Sequence, residues 1–254
     1  MRGALAIVAL AAAFAPAFVR AQPAQPAQQE ERVLTQSPED IGEIRNMRLG
    51  VKVEDFATEP FGDYACGGNG GAPGQKLSGW AEFKRCRPEA NGLREVWVRF
   101  ADQIELYARA IENDAMAQRL GGTRVAGFQV ILSVLFDDQG VSRGFRMITD
   151  PRAAVQERRV GFMFRQRIQL RYGIEGWTCT DLPPAQGETP VGGVFIKVDC
   201  EKRTPERNLF VQARFLRKAG QFDYDPVTRE PGVGQFESQT RFEIFDPGFG
   251  PAGG

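Results

Sequence analysis

Four cysteines stand in two brackets of nearly equal length, and the chain contains no histidine. Cys66 and Cys86 enclose 19 residues; Cys179 and Cys200 enclose 20. Covalent closure of a short loop fixes which segments lie side by side, so this spacing constrains the fold more than any other feature. The lack of histidine removes the commonest general base and the commonest metal ligand. Neither bracket has the C-x-x-C spacing of a redox pair, nor the close cysteine pairs of a zinc site. The cysteines therefore read as structural staples. Four cysteines allow three pairings, and Cys66–Cys86 with Cys179–Cys200 is expected because each closes a local loop. In the chain-entropy account each such loop stabilises by roughly 3 kcal/mol, before native strain is subtracted.

Staples need an oxidising compartment, and the first residues supply a route to one. Arg2 opens an apolar run over residues 3–18, and Val19-Arg20-Ala21 offers small residues where a signal peptidase reads. Residues 1–21 are thus expected to be a secretory signal, cleaved after Ala21. Pro16 interrupts the run, which is shorter than the roughly 20 apolar residues of a spanning helix. No cysteine adjoins the cleavage position, so a lipid-anchored N-terminus is not expected. The Ala-rich signal and the Arg, Ala, Gly and Pro usage look bacterial, which makes a Gram-negative periplasm the expected location. No membrane insertion is expected after cleavage. Loss of Arg2 and Arg20 leaves 30 basic against 32 acidic residues, a net charge of −2. That balance gives no electrostatic reason to bind nucleic acid or anionic lipid.

Residues 22–37 are rich in Gln, Pro and Ala and read as a disordered leader. Residues 247–254, mostly Gly, Pro and Ala, read as a flexible tail. Between them lie two expected halves, 38–149 and 150–246. In the first, residues 80–86 and 93–100 read as strands joined by a turn at 88–92. Residues 104–120 read as a helix, with Ile104, Tyr107, Ala108 and Ile111 on one face and Gly121-Gly122 as its stop. Residues 128–136 and 141–148 flank Asp137-Asp138-Gln139-Gly140, the clearest hairpin signal in the chain. In the second half, Asp150-Pro151 signals a helix start and Gly173 its stop. Between them Val160, Phe164, Ile168 and Tyr172 form a helical i+4 stripe, while Val160, Phe162, Phe164, Ile168, Leu170 and Tyr172 also fit the period of two of a strand. Residues 194–200, 209–215 and 237–245 read as strands. The expected fold class is α+β: antiparallel sheets with a few helices.

The halves share more than cysteine spacing. Tyr64-Ala65-Cys66 parallels Trp177-Thr178-Cys179, and Val96-Trp97-Val98-Arg99-Phe100 parallels Val211-Gln212-Ala213-Arg214-Phe215. Two related disulfide-stapled halves, or a common motif arising twice, both account for this. Met47-Arg48-Leu49-Gly50-Val51 before a short helix, with the two brackets and their following strands, resembles the tandem β-lactamase-inhibitor-protein fold. The same unit occurs singly in small outer-membrane assembly lipoproteins. The resemblance implies a fold and no transferable activity. The chain also looks like uncharacterised exported proteins of alphaproteobacteria.

No catalytic constellation emerges. Ser–His–Asp and Cys–His mechanisms need histidine. Gln75-Lys76-Leu77-Ser78 lacks the Ser-x-x-Lys order of penicillin-binding enzymes. Asp137 and Asp138 fit a turn role better than acid–base work. The run 67–74 lacks the terminal Gly-Lys-Ser/Thr of a phosphate loop. No cofactor and no metal site are expected. The leading expectation is a non-enzymatic periplasmic module that meets an envelope protein partner. Gly68, Asn69, Gly70, Trp177, Asp181 and Glu188, in and beside the bracket loops, are its candidate contacts. The alternatives are a carboxylate-dependent glycan hydrolase and a small-ligand binder.

Overall fold

The computed structural model describes residue 44 and residues 47–56, 61–100, 107, 110–113, 123–224, 228–231 and 234–252. Most of the expected helix over 104–120 lies outside these residues, as do the signal and the leader. The strands are β1 (Phe61–Cys66), β2 (Lys76–Leu77), β3 (Arg94–Phe100), β4 (Arg124–Val125), β5 (Phe128–Phe136), β6 (Ser142–Thr149), β7 (Thr178–Asp181), β8 (Ile196–Arg203), β9 (Asn208–Leu216) and β10 (Glu237–Phe245). Two α-helices, α1 (Val155–Arg159) and α2 (Phe164–Arg171), are separated by a 3-10 turn over Gly161–Met163. This is the expected α+β class, dominated by antiparallel pairing, with one disulfide in each half.

The strands form one sheet in the order β2-β1-β3-β5-β6-β10-β9-β8-β7, with β4 paired to β5. Residues up to 149 build one side of it and residues from 178 build the other. They meet where β6 pairs with β10 in the register Phe145↔Ile244, Arg146↔Glu243 and Met147↔Phe242. All described residues belong to a single compact unit, Ser37–Gly254.

Alternation along the strands decides the two faces. Val96, Val98 and Phe100 of β3, Val130, Leu132, Val134 and Phe136 of β5, Phe145 and Met147 of β6, Phe242 and Ile244 of β10, and Leu209, Val211 and Ala213 of β9 enter one continuous core. Short helices cover this face. Trp80 and Phe83 of the 3-10 helix Trp80–Arg85 pack there with Phe56 and Phe136. Phe164 and Ile168 of α2 pack on the other side. The opposite face carries Glu95, Trp97 and Arg99, then Arg146, Arg241 and Glu243, and further out Gln212, Arg214, Lys197 and Asp199. An antiparallel sheet tolerates such a face because only one side must be apolar.

Several expectations hold. The hairpin β5–β6 forms around residues 137–140. Asp137 Oδ1 accepts from the backbone N–H of Gln139 and of Val141, and Gly140 takes positive φ. Gly173, at φ +84°, ends the helical segment after Tyr172. Others do not. Residues 80–86 are not a strand: the three-residue spacing of Trp80 and Phe83 puts both rings on the core side of a 3-10 helix. The helix expected from Pro151 starts at Val155, because Asp150 instead caps a turn by accepting from the Arg152 N–H. The start of the tail is held in place: Asn91 Nδ2 donates to the Gly250 carbonyl and Asn208 Nδ2 to that of Phe249.

The motif match between halves also shifts. Counting outward from the β6–β10 seam, β3 corresponds to β8 and β5 to β9. The Val96–Phe100 run is therefore not the counterpart of Val211–Phe215, which lies on β9. The disulfides differ as well. Cys179 and Cys200 are directly opposed on paired β7 and β8, whereas Cys66 ends β1 and Cys86 follows the 3-10 helix.

Candidate interaction site

The glycine run 67–74 leaves β1 at Cys66 and lies against the polar face of the sheet. It turns back on itself through Gly71 N–H to the Gly68 carbonyl and Gly74 N–H to the Cys66 carbonyl. Glycine is required by proximity. A Cβ on Gly67 would overlap the Glu95 side chain, and one on Gly70 would overlap Ile148 while φ stands at +90°. Asn69 is held from two sides. Its N–H donates to Glu95 Oε2 at 2.7 Å, and Arg241 donates to both its carbonyl and its side-chain oxygen.

Beneath this loop sits a buried charge cluster. Arg146 is 1% exposed and lies within ion-pair distance of three carboxylates. Its Nε donates to Glu243 Oε1 at 2.7 Å, and its two Nη atoms bind Glu89 in bidentate fashion at 2.6 and 3.0 Å. Glu95 Oε2 lies 3.0 Å from Nη1. Arg241 closes the set by donating to both oxygens of Glu243. Burial works against the charge on Arg146, but the hydrogen bond to Glu89 and the charges of Glu95 and Glu243 outweigh it and raise its pKa. Burial likewise pushes the Glu243 carboxyl up. The Arg241 hydrogen bonds and the Arg146 charge overcome this and hold it below the usual carboxylate value. Glu95 Oε1 and Ser133 Oγ, both buried, accept or donate no hydrogen bond among the described residues. Ser133 faces Arg146 across the β5–β6 register.

This arrangement is a clamp. Each of its three carboxylates lies within ion-pair distance of Arg146. Elsewhere the displaced carboxylates are also shifted down. Glu82 is lowered by the Ser78 N–H and Arg85, and Glu188 by Lys197 and the Ala185 N–H. At Asp137, burial is overcome by the Val141 N–H, Arg143 and the Gln139 N–H. No group of three or more metal-ligating side chains with metal-site geometry occurs among the described residues.

The six candidate contact residues fall in separate places. Gly68, Asn69 and Gly70 lie in the docked loop, where Asn69 spends its polar groups on Glu95 and Arg241 and the Gly68 carbonyl accepts from the Gly71 N–H. Glu188 accepts from Lys197 Nζ at 2.8 Å and sits near the outer end of β8. Its loop is tied to the end of β9 by the Thr189–Arg217 bridge, so the two bracket loops do not occupy equivalent sites. Asp181 is exposed at the end of edge strand β7. Trp177 is half-buried, donating from Nε1 to the Gly173 carbonyl at 2.7 Å under the Lys202 ammonium. Glu89, Glu95, Arg146, Arg241 and Glu243 were not singled out by the sequence. Their signal was there: Arg146 and Glu243 interrupt apolar strands as opposite charges at face-sharing positions, but only the β6–β10 register pairs them.

Beyond the clamp, the polar face continues over β8–β10 as half-exposed side chains fixed by their neighbours. Arg214 Nη2 lies 2.6 Å from Asp199 Oδ1, and Gln212 Nε2 donates to Asp199 Oδ2 at 3.3 Å. No protein-family model, no curated protein and no solved structure matches this chain. The two disulfides point to an oxidising, extracellular compartment. No described helix is long and apolar enough to cross a membrane.

Proposed function

We propose that this protein is a non-enzymatic interaction module of the bacterial envelope, exported to the periplasm by its N-terminal signal. It meets a protein partner through the polar face of its sheet. The observation that carries this reading is the row Arg241, Gln212 and Asp199, with Arg214 beside it. These half-exposed side chains stand on adjacent strands and are already fixed, Gln212 and Arg214 by Asp199 and Arg241 by Glu243 and Asn69. Side chains fixed before association lose little rotamer freedom on binding, so a rigid strand-mounted surface is favourable for recognition. Arginine and aromatic residues are enriched where partners meet, and Trp97, Arg99 and Phe210 extend the same face. The carboxylates nearby are all bound to cations, which favours recognition over acid–base turnover.

Cross-linking in intact envelopes, followed by affinity purification and mass spectrometry, tests the reading. One stoichiometric protein should be recovered with the natural chain. It should be lost with Glu201→Arg/Gln212→Arg, which changes two half-exposed positions of the face. Recovery of the chain alone, or a partner unaffected by the double substitution, would sink the idea.

A further inference from the structure

The helical segment that covers the core face of the sheet is rich in arginine and carries apolar side chains both inward and outward. Phe164 and Ile168 turn inward to the core. Val160, Met163, Leu170 and Ile174 turn outward, and the last two are 62% and 71% exposed. Four large apolar side chains exposed along one short stretch of chain, the strip 160–174, imply a medium other than water over it. The charge around the strip says what kind. Residues 158–174 contain Arg158, Arg159, Arg165, Arg167 and Arg171 and no Asp or Glu, and the single exposed acid Glu175 follows. Arg159, Arg167 and Arg171 are exposed. The nearest acid before them, Glu157, is engaged by Arg124 at 2.6 Å. Lys202 adds a further cation where α2 ends, donating from Nζ to the Tyr172 carbonyl at 2.7 Å.

We propose that this strip lies on an anionic phospholipid surface, with Leu170 and Ile174 entering the headgroup–acyl boundary and the arginines engaging lipid phosphates. Arginine and large aliphatic side chains interleaved along one exposed stretch of chain suit that boundary, where both find their medium within one residue length. A protein interface of similar size would ordinarily present charges of both signs. The chain as a whole is balanced, with 32 basic and 32 acidic residues, so the attraction comes from local concentration and acts within a Debye length of the surface. The helices cover the core face of the sheet, so a chain lying on this strip turns the polar face away from the membrane. The two surfaces can work at once, and each can fail without the other.

Co-sedimentation of the purified mature chain with vesicles decides it. Vesicles of phosphatidylcholine alone should leave the protein in solution, and vesicles with an added third of phosphatidylglycerol should carry it down. Arg159→Ser/Arg167→Ser and Leu170→Ser/Ile174→Ser should each weaken partition on the order of tenfold, and raised salt should release the natural chain. All four positions are exposed, and an unchanged melting temperature verifies that the variants fold. No binding to phosphatidylglycerol vesicles would overturn the proposal, as would binding indifferent to both pairs of substitutions. An envelope protein cross-linked to this strip, with no vesicle binding, would overturn it in favour of a protein occupant.

Discussion

At the scale of single residues, Arg146 has the most to lose. It is fully buried and neutralises parts of three carboxylates, two of them buried with it. Removing one side of a buried ion cluster leaves the other side uncompensated, which costs about 3–5 kcal/mol. Arg146→Met should therefore lower the unfolding free energy measured by guanidinium chloride denaturation by that much, and a loss below about 1 kcal/mol would show that the clamp is weaker than its geometry. Glu243 sets a pH dependence. Its carboxyl is held lower in the folded chain than the ordinary 4.5, so the folded state keeps it ionised where the unfolded state has begun to protonate. The stabilisation is complete above that ordinary value and fades as pH falls through the lowered one. Denaturation midpoints measured from neutral pH into the acid range should fall for the natural chain. Glu243→Gln should start lower and fall less steeply. Parallel curves for the two would exclude Glu243 as the source.

At the scale of elements, turn chemistry explains which local signals were dependable. Asp137 and Gly140 close the β5–β6 hairpin by side-chain acceptance and positive φ, both of which belong to the residue type. The neighbouring β4–β5 turn is less well matched. It places Ala126 at φ +49° before Gly127 at φ +85°, a pair for which Asn-Gly is the favoured sequence. An alanine in the left-handed region costs roughly 1–2 kcal/mol, so Ala126→Asn should raise the melting temperature, by about 1 kcal/mol of stability. An unchanged or lowered value would mean that this hairpin contributes nothing to the global transition. The broken helix 155–171 shows the opposite case. Its period was ambiguous in sequence because inward and outward positions are both apolar, and only packing separates Phe164 and Ile168 from Leu170.

At the scale of the whole molecule, the β6–β10 seam is decisive. The two halves share one sheet and one apolar core, so neither has a closed hydrophobic surface of its own. Thermal unfolding followed by far-ultraviolet and by near-ultraviolet circular dichroism should give one coincident transition. Two separated transitions would mean that the halves hold together independently.

The sequence alone determined the covalent plan and much of the strand inventory. Two brackets of about 20 residues each favour local loops, and the pairs Cys66–Cys86 and Cys179–Cys200 agree with that. Alternation located β3, β5, β6, β8, β9 and β10 to within a few residues, since a strand with one apolar face writes its period into the chain. Tertiary structure decided the rest. Which strand pairs across the seam depends on residues about a hundred positions apart, and no local period encodes that register. The same holds for the Arg146 clamp, whose members come from β3, β6, β10 and the 87–93 turn. It holds too for the glycine run, whose composition excluded a phosphate loop but did not show that its glycines let it lie flat against Glu95 and Ile148.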